Sequence, residues 1–398
     1  MALFTHQRFV TNPWVQRNQI PLGVSENDAL VWKILPRISD SMIIASVPGV
    51  GKSVLFRLLY YYISKIRPIL VIDWEGEDHK HSKNPNRKPT NLPPEQMAEA
   101  IHNSVFLNYT PNKENYERRV VPNLLNYSAN DLRGLGLPMG GAMELRRVLR
   151  DYGPFKTIKD VLDFVRAFPT NTMESRRLNS MKNCPYKKDD TIAAQSKQSI
   201  TKYLFDIDDQ ELFALDDKNY PSIVQMLIQG KNVFLNFYGQ IDMCRIEVTK
   251  IIKELIEYRK SDPDGVSPAI FYEEADRIIP RNFYDPEEHK KTLYILNVLV
   301  EAAKRARKHR IAQYFATPAL SNLNNTICEI SNEAIFGKMK GYDIAEAARI
   351  AGSDVVYMIN RLKFNRYRGL REFIFMNEFG MLFKFIPYEC PQDYHREY

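Results

Sequence analysis

The chain is poor in cysteine, and what it has forms no pattern. Cys184, Cys244, Cys328 and Cys390 lie far apart with no C-x-x-C pair, which argues against a zinc site and against a secreted disulfide framework. A reducing, cytoplasmic setting fits them. Long apolar runs are missing too. None reaches the roughly 18 residues that span a bilayer, and the polar start Met1 to Asn18 lacks the apolar centre of a secretory signal. The expectation is a soluble protein without membrane insertion. His79 and His81 have no second ligand pair at a useful spacing, so a polar loop is the simpler reading there than a metal site. No internal repeat is present.

At 398 residues the chain exceeds what one core usually holds, so a main domain with a second or inserted unit is expected. The formal charge of +7 favours an anionic partner such as nucleic acid, although proteins that bind none carry similar charge.

Residues 1–28, rich in Asn, Gln and Pro, read as an N-terminal arm. Met42-Ile43-Ile44-Ala45 reads as a buried strand, the Pro48/Gly49/Gly51 cluster as a turn, Val54 to Ile66 as a helix and Ile69 to Ile72 as a second buried strand. Strand, glycine loop, helix and strand make a βαβ unit with a parallel sheet. A polar, proline-rich stretch then leads into helical periodicity, so 81–218 is expected to be a mainly helical insert. Within it, Thr157 and Asp160 resemble a capping box, and Met173 to Lys197 reads as a long loop or a helix pair. Strand-like runs resume at 233–237, 269–272 and 312–316, with helical patterns at 244–260 and 286–308 between them. The runs 373–376 and 381–385 flank the hairpin signal Asn377-Glu378-Phe379-Gly380. The predicted fold is α/β, a mostly parallel core from 29–80 and 219–398 around the helical insert.

The chemistry concentrates in Ser46-Val47-Pro48-Gly49-Val50-Gly51-Lys52-Ser53, followed by Val54, which meets G-x-x-x-x-G-K-[ST] except at its first glycine. Such a loop needs glycines so that backbone N–H groups can turn around phosphate oxygens, a lysine to meet the β- and γ-phosphates, and a hydroxyl for Mg²⁺. Its place between a buried strand and an amphipathic helix separates it from a chance glycine turn. The apolar strand Ala269 to Tyr272 then ends in Glu273-Glu274. One carboxylate can hold a Mg²⁺ shell and the next can orient water; an exposed acidic helix start is the plainer alternative.

With these motifs in this order, the sequence resembles the HerA/FtsK superfamily, in particular its HerA-like branch with archaeal and viral packaging ATPases. The matching segments are Ile20 to Ser53, Val71 to Glu77 (ending D-x-x-G-E), Pro268 to Ile279, and Ala302 to Ser321. The resemblance implies a RecA-like P-loop NTPase that binds ATP and Mg²⁺. It casts Ser53 and Glu273 as metal-holding residues, Lys52 and Glu274 as catalytic, Glu77 as a residue near the loop, Thr317 as nucleotide-contacting, and Arg307 as a cation donated to a neighbouring subunit. Lys304, Arg307 and Lys308 share a helical face, while Glu301 is spaced to pair with Arg305. Two positions depart from the family: Glu273 replaces its aspartate, and Pro318 stands where its sensor glutamine would be, so that role is either lost or moved to Thr317. Residues 1–28 leave no room for the family's N-terminal barrel, which points to a virus- or plasmid-encoded motor working in a host cytoplasm. The implied function is an ATP-driven translocase moving double-stranded DNA through a homo-oligomeric, hexameric ring, with a nuclease or portal partner by family analogy. The alternatives are a nucleotide-dependent assembly scaffold with little hydrolysis and a secretion or assembly ATPase with a non-nucleic partner. Lys304 to Arg310, Arg176 to Lys188 and Arg361 to Arg368 are the basic stretches that can meet phosphate backbone, or else form solvated faces, the first being read as serving a subunit interface instead.

Overall fold

The computed structural model describes residues 19–27, 29–34, 40–73, 104–109, 119–181, 184–218, 220–237, 239–281, 286–365 and 370–388. The chain begins with β1 (Gln19–Val24), β2 (Leu30–Ile34) and β3 (Ser41–Ala45), then α1 (Lys52–Ser64), β4 (Ile69–Asp73) and β5 (Ser104–Asn108). Five helices come next: α2 (Ala129–Gly134), α3 (Met139–Tyr152), α4 (Ile158–Ala167), α5 (Thr172–Asn179) and α6 (Ala194–Asp209). Alternation returns with α7 (Ile223–Ile228), β6 (Asn232–Asn236), α8 (Ile241–Ser261), β7 (Ala269–Tyr272), α9 (Ala275–Ile278), α10 (Pro286–Lys308), β8 (Ala312–Thr317), α11 (Asn325–Ile330) and β9 (Glu333–Phe336). The end carries α12 (Tyr342–Ala351), α13 (Asp354–Asn360), the short β10 (Phe364–Asn365) and β11 (Leu370–Arg371), then β12 (Phe373–Met376) and β13 (Leu382–Pro387).

Eleven strands form one sheet in the order β2-β1-β13-β12-β9-β3-β8-β7-β4-β6-β5. From β9 to β6 the neighbours run parallel, as expected for apolar strands linked by helices. β3, β4, β6, β7, β8 and β9 are buried along their whole length, the mark of strands covered on both faces. The chain is therefore α/β with a mostly parallel sheet, as the sequence predicts. The other side of the sheet differs from expectation. Gln19–Val24, assigned to the arm, forms β1 and pairs antiparallel with β2 and β13. Gly23 sits there because β13 comes so close that a side chain would run into the Ile386 carbonyl. The predicted hairpin forms as β12 and β13, with Gly380 at φ 74° and Asn377 Oδ1 accepting from Phe379 N at 3.1 Å and Met381 N at 2.9 Å.

The chain divides into two compact units. The first comprises Met1–Phe106, Ile223–Phe283 and Val298–Tyr398 and holds the sheet core. Its α1 is buried on nearly every side, with Leu55, Phe56, Leu58, Leu59, Tyr60, Tyr61 and Ile63 each at most 3% exposed. Phe56 and Tyr60 set their rings edge-to-face on Phe271 of β7 at 5.2 and 5.6 Å, and Phe271 stacks on Tyr314 of β8 at 4.5 Å. Each such ring adds roughly 0.5–1.5 kcal/mol beyond its buried area, so α1 is held firmly where its N-terminus meets the glycine loop. The second unit is Leu107–Ser222 with Tyr284–Asn297. The capping box at Thr157 and Asp160 is present, and the stretch from Met173 takes the helix-pair form, α5 and α6. Arg147 ties α3 to Asp190 at 2.7 Å beside an aromatic cluster of Tyr152, Phe164, Phe168 and Tyr186.

One charged cluster lies inside the first unit. Lys33 of β2 is fully buried, 2.8 Å from Asp40 and ion-paired to Glu333 of β9. Burial alone would strip the Lys33 proton, but the two carboxylates outweigh it and hold the ammonium above its ordinary value. Burial pushes Glu333 up to about 7 against the pull of Lys33. Removing one member of a buried pair strands the others. Lys33→Met is therefore expected to cost about 3–5 kcal/mol, measured as a lower urea midpoint; a loss below about 1 kcal/mol, the size of an exposed pair, would contradict this account.

Candidate active site

The loop 46–53 hangs between β3 and α1, and its neighbours fix its start. Ser46 N donates to Thr317 O at 3.3 Å at the end of β8, Val47 N donates to Lys338 O at 2.9 Å beyond β9, and Gly337 N donates to Ala45 O at 2.8 Å. Gly49 and Gly51 have φ of 83° and 107°, the left-handed region where any side chain is strained. Gly51 is the N-cap of α1 and makes no side-chain cap bond. The first-turn N–H groups of α1 thus have no capping side chain and carry the positive end of the helix dipole, an arrangement suited to anions.

Lys52 is buried, 6% exposed, and its Nζ is 2.7 Å from Glu274 Oε1. Glu274 has left-handed backbone, φ 48° and ψ 50°, and caps the short α9. For a residue with a Cβ this costs on the order of 1–3 kcal/mol, and the turn brings its carboxylate to the loop lysine. Arg245, itself buried, donates from Nε to Ile278 O at 3.0 Å and from Nη2 to Arg277 O at 2.9 Å, which secures the far end of that turn. Glu273, one residue earlier, leaves β7 with its N donating to Ile72 O at 3.1 Å. Of the two carboxylates it is Glu274 that reaches Lys52.

A third acid belongs to this cluster, and sequence reasoning missed it. Thr317, fully buried, donates from Oγ1 to Asp276 Oδ1 at 2.8 Å and accepts from Ala319 N at 3.1 Å. Burial pushes the Asp276 carboxyl up, the Thr317 bond pulls it back, Glu274 pushes it up again and Lys52 lowers it. The signal was the third position after Glu273, in the first turn of α9, and only the packing of β8 gives it meaning. Thr317 faces Asp276, with Pro318 next in the chain, half-buried.

The parallel register explains the convergence. Ala45 lies opposite both Thr317 and Phe336, so the loop, Glu274, Asp276 and Thr317 all gather at the C-terminal edge of the strands, where open α/β sheets bind ligands. Ser53 and Val54 are half-buried at the start of α1, Val50 is buried, and Pro48 and Gly49 are exposed. Arg307 is elsewhere. It precedes β8, whose six residues put roughly 20 Å between that strand's start and the loop edge; Arg307 therefore does not join its own chain's site. The spaced Glu301 and Arg305 form no ion pair among the described residues. Both are exposed, where such a pair gains little over hydration. Glu77 lies outside the described residues.

No protein-family model matches the sequence, and no curated protein matches it. Solved structures do match. VirB4 of Thermoanaerobacter pseudethanolicus superposes with a TM-score of 0.57 at 12% identity, covering 94% of this chain and 97% of its own. The bacterial conjugative coupling protein TrwBdeltaN70 gives 0.55 at 12% identity, over 90% of this chain and 86% of its own. Plasmid coupling protein TrwB in complex with ADP and Mg²⁺ gives 0.55 at 13% identity over the same shares. At these identities what is shared is the fold. That shared fold is α/β with a mostly parallel sheet, the architecture that the sequence predicts.

Thr317→Val removes the side-chain hydrogen bond that draws the Asp276 carboxyl down. Asp276 is then expected to titrate at higher pH, read by carboxyl-carbon NMR. The folded chain would hold a proton that the unfolded chain releases sooner, so stability falls as pH rises between the two pKa values and falls further in the variant. An unchanged or lower Asp276 titration would break the link between β8 and this acid.

Proposed function

We propose that this chain is an ATP-driven motor that moves double-stranded DNA through a ring of its own copies. The observation that carries the reading is the meeting of the left-handed glycine loop, the uncapped N-terminus of α1, Lys52 and Glu274 at the C-terminal edge of a parallel sheet. This donor set fits a nucleotide's phosphates: N–H groups from Gly49 to Val54 with the helix dipole behind them, the ammonium of Lys52, and the hydroxyl of Ser53. Ser46, Val47, Pro48 and Val50 shape the loop that presents them. Ser53 and Glu273 are the residues that would hold Mg²⁺, which when bound neutralises phosphate charge. The fold shared with VirB4 and with TrwB, solved with ADP and Mg²⁺, supports the same reading.

The side chains suggest how turnover is gated. Lys52 is already held by Glu274, so phosphate must compete with that carboxylate for the lysine. Once Lys52 turns to phosphate, Glu274 loses its partner and is available to accept a proton from an attacking water. Thr317 and Asp276, joined beside it, form a polar link from β8 to this carboxylate turn. We assign Thr317 the phosphate-sensing position. Arg307 lies at the far edge of the sheet from its own loop, which suits a cation given to a neighbour's site and not to its own. For DNA, the exposed Lys304, Arg305, Lys308 and Arg310 supply backbone-tracking charge. Arg361, which stacks on Tyr357 at 3.8 Å, offers an aromatic and cationic pair of the kind that meets nucleic acid. No helix among the described residues is long and apolar enough to cross a membrane.

Lys52→Ala is expected to lose Mg-ATP turnover in a folded chain, and Glu274→Gln to bind ATP while turnover falls at least a hundredfold. Double-stranded DNA is expected to stimulate the wild-type ATPase. Wild-type rates in both variants would overturn the site; tight ATP binding with no hydrolysis, with or without DNA, would replace the motor by the assembly scaffold.

The ring makes a separate prediction. Arg307→Ala keeps its own loop and Lys52→Ala keeps its own Arg307, so each alone should be nearly inactive while mixed rings regain part of the activity. The rate attributed to such an arginine is on the order of 10³-fold or more. Full activity of Arg307→Ala alone, or no recovery in verified mixed rings, would remove Arg307 from catalysis.

A further inference from the structure

Arg371 belongs to no motif in the sequence, and the fold carries it to the phosphate loop. β10 and β11 pair antiparallel as a short hairpin, Phe364 opposite Arg371 and Asn365 opposite Leu370. The next residue, Glu372, is 3% exposed and anchors that hairpin: its carboxylate accepts from Lys363 N and lies 3.1 Å from Lys384 Nζ, and its own N donates to Lys363 O at 3.2 Å. Arg371 is thereby fixed at its root. Its side chain runs over Gly51. A Cβ placed on that glycine would be 2.9 Å from Arg371 Cδ, 3.2 Å from Nη1 and 3.5 Å from Nε. Gly51 thus serves two purposes, taking the left-handed φ and leaving room for the arginine.

One donor of the guanidinium also lacks an acceptor. Its Nε is buried with no hydrogen-bond partner among the described residues. Two buried arginines of this unit have their Nε paired, Arg245 with the Ile278 carbonyl and Arg259 with the His309 carbonyl, whereas Arg281, whose Nε is also unpaired, reaches Glu346 through Nη2. Buried donors are rarely left unsatisfied, and an arginine offers planar, paired N–H groups that suit phosphate oxygens. A half-buried guanidinium with its Nε buried and unpaired, beside the loop's second glycine, is placed to take an anion.

We propose that Arg371 binds the phosphate chain of the nucleotide held by the loop of the same chain, a second cation beside Lys52 delivered by the C-terminal hairpin. This rests on the nucleotide-binding reading above and adds to it a residue from a part of the chain that no loop motif includes. Because it acts on phosphate, its effect should not depend on the base or the sugar.

The test is binding, not turnover. Affinities for Mg-ATP and for inorganic tripolyphosphate are measured by competition against a fluorescent ATP analogue, on wild type, Arg371→Met, Arg371→Lys and Lys52→Ala, with thermal midpoints taken alongside. Arg371→Met keeps an unbranched stem over Gly51 and removes the donors. It is expected to weaken both ligands at least tenfold with little change in thermal midpoint, and Arg371→Lys is expected to recover part of the loss. Wild-type tripolyphosphate affinity in Arg371→Met would overturn the proposal, as would a loss confined to ATP, which would move the contact to the base or ribose. Equal binding by wild type and Lys52→Ala would instead overturn the phosphate-loop reading itself, and Arg371's role with it.

Discussion

The register of β3 between β8 and β9 is the constraint on which the site depends. It sets Ala45 level with Thr317 on one side and Phe336 on the other. From that alignment the loop receives its two backbone anchors, at Thr317 and Lys338. A slip of one residue would turn every side chain of β3 to the other face. It would also take the loop from both anchors. The aromatic contacts from α1 to Phe271, and from Phe271 to Tyr314, resist such a slip, because they tie the helix after the loop to the two strands beyond β3.

Charge is handled differently at the two buried clusters of this unit. Around Lys33, two carboxylates share one ammonium between β2 and β9 with no exposed route for exchange. It is a fixed structural arrangement. At Lys52 the same kind of pairing is partly open, since the Glu274 side chain is 21% exposed. The Glu274 backbone is strained and its carboxylate reaches solvent, so the second pair is built to exchange partners and the first is not.

The parallel half of the sheet was legible because its strands are short apolar runs closed by glycine, proline or charge, and because the glycine-loop pattern requires a strand before it and a helix after it. The antiparallel edge was not. β1 contains Pro21 and Gly23 and shifts register between them, features that weaken any local strand signal, and its partner β13 lies at the other end of the chain. The site divides in the same way. Lys52, Ser53 and Glu274 stand in patterns whose chemistry is local. Asp276, and Arg371 as proposed above, acquire theirs from contacts with Thr317 and Gly51, which are far away in sequence, and no spacing rule reports such contacts. Glu273 and Glu274 looked interchangeable as a string; the left-handed turn at Glu274 is what separates them.

On the nucleotide-binding reading proposed above, the Lys52–Glu274 pair also sets an entry threshold. A carboxylate at 2.7 Å is a resident competitor for the lysine, so an incoming anion must offer more than the single charge it displaces. Chloride or one dihydrogen phosphate gains little by the exchange. A chain of linked phosphates gains more, because one group can take Lys52 while the others occupy the N–H groups of the loop. Discrimination of this kind comes from what the protein already holds in place and not from added contacts to the ligand. It would keep the site from filling with the small anions that outnumber nucleotides in any cell.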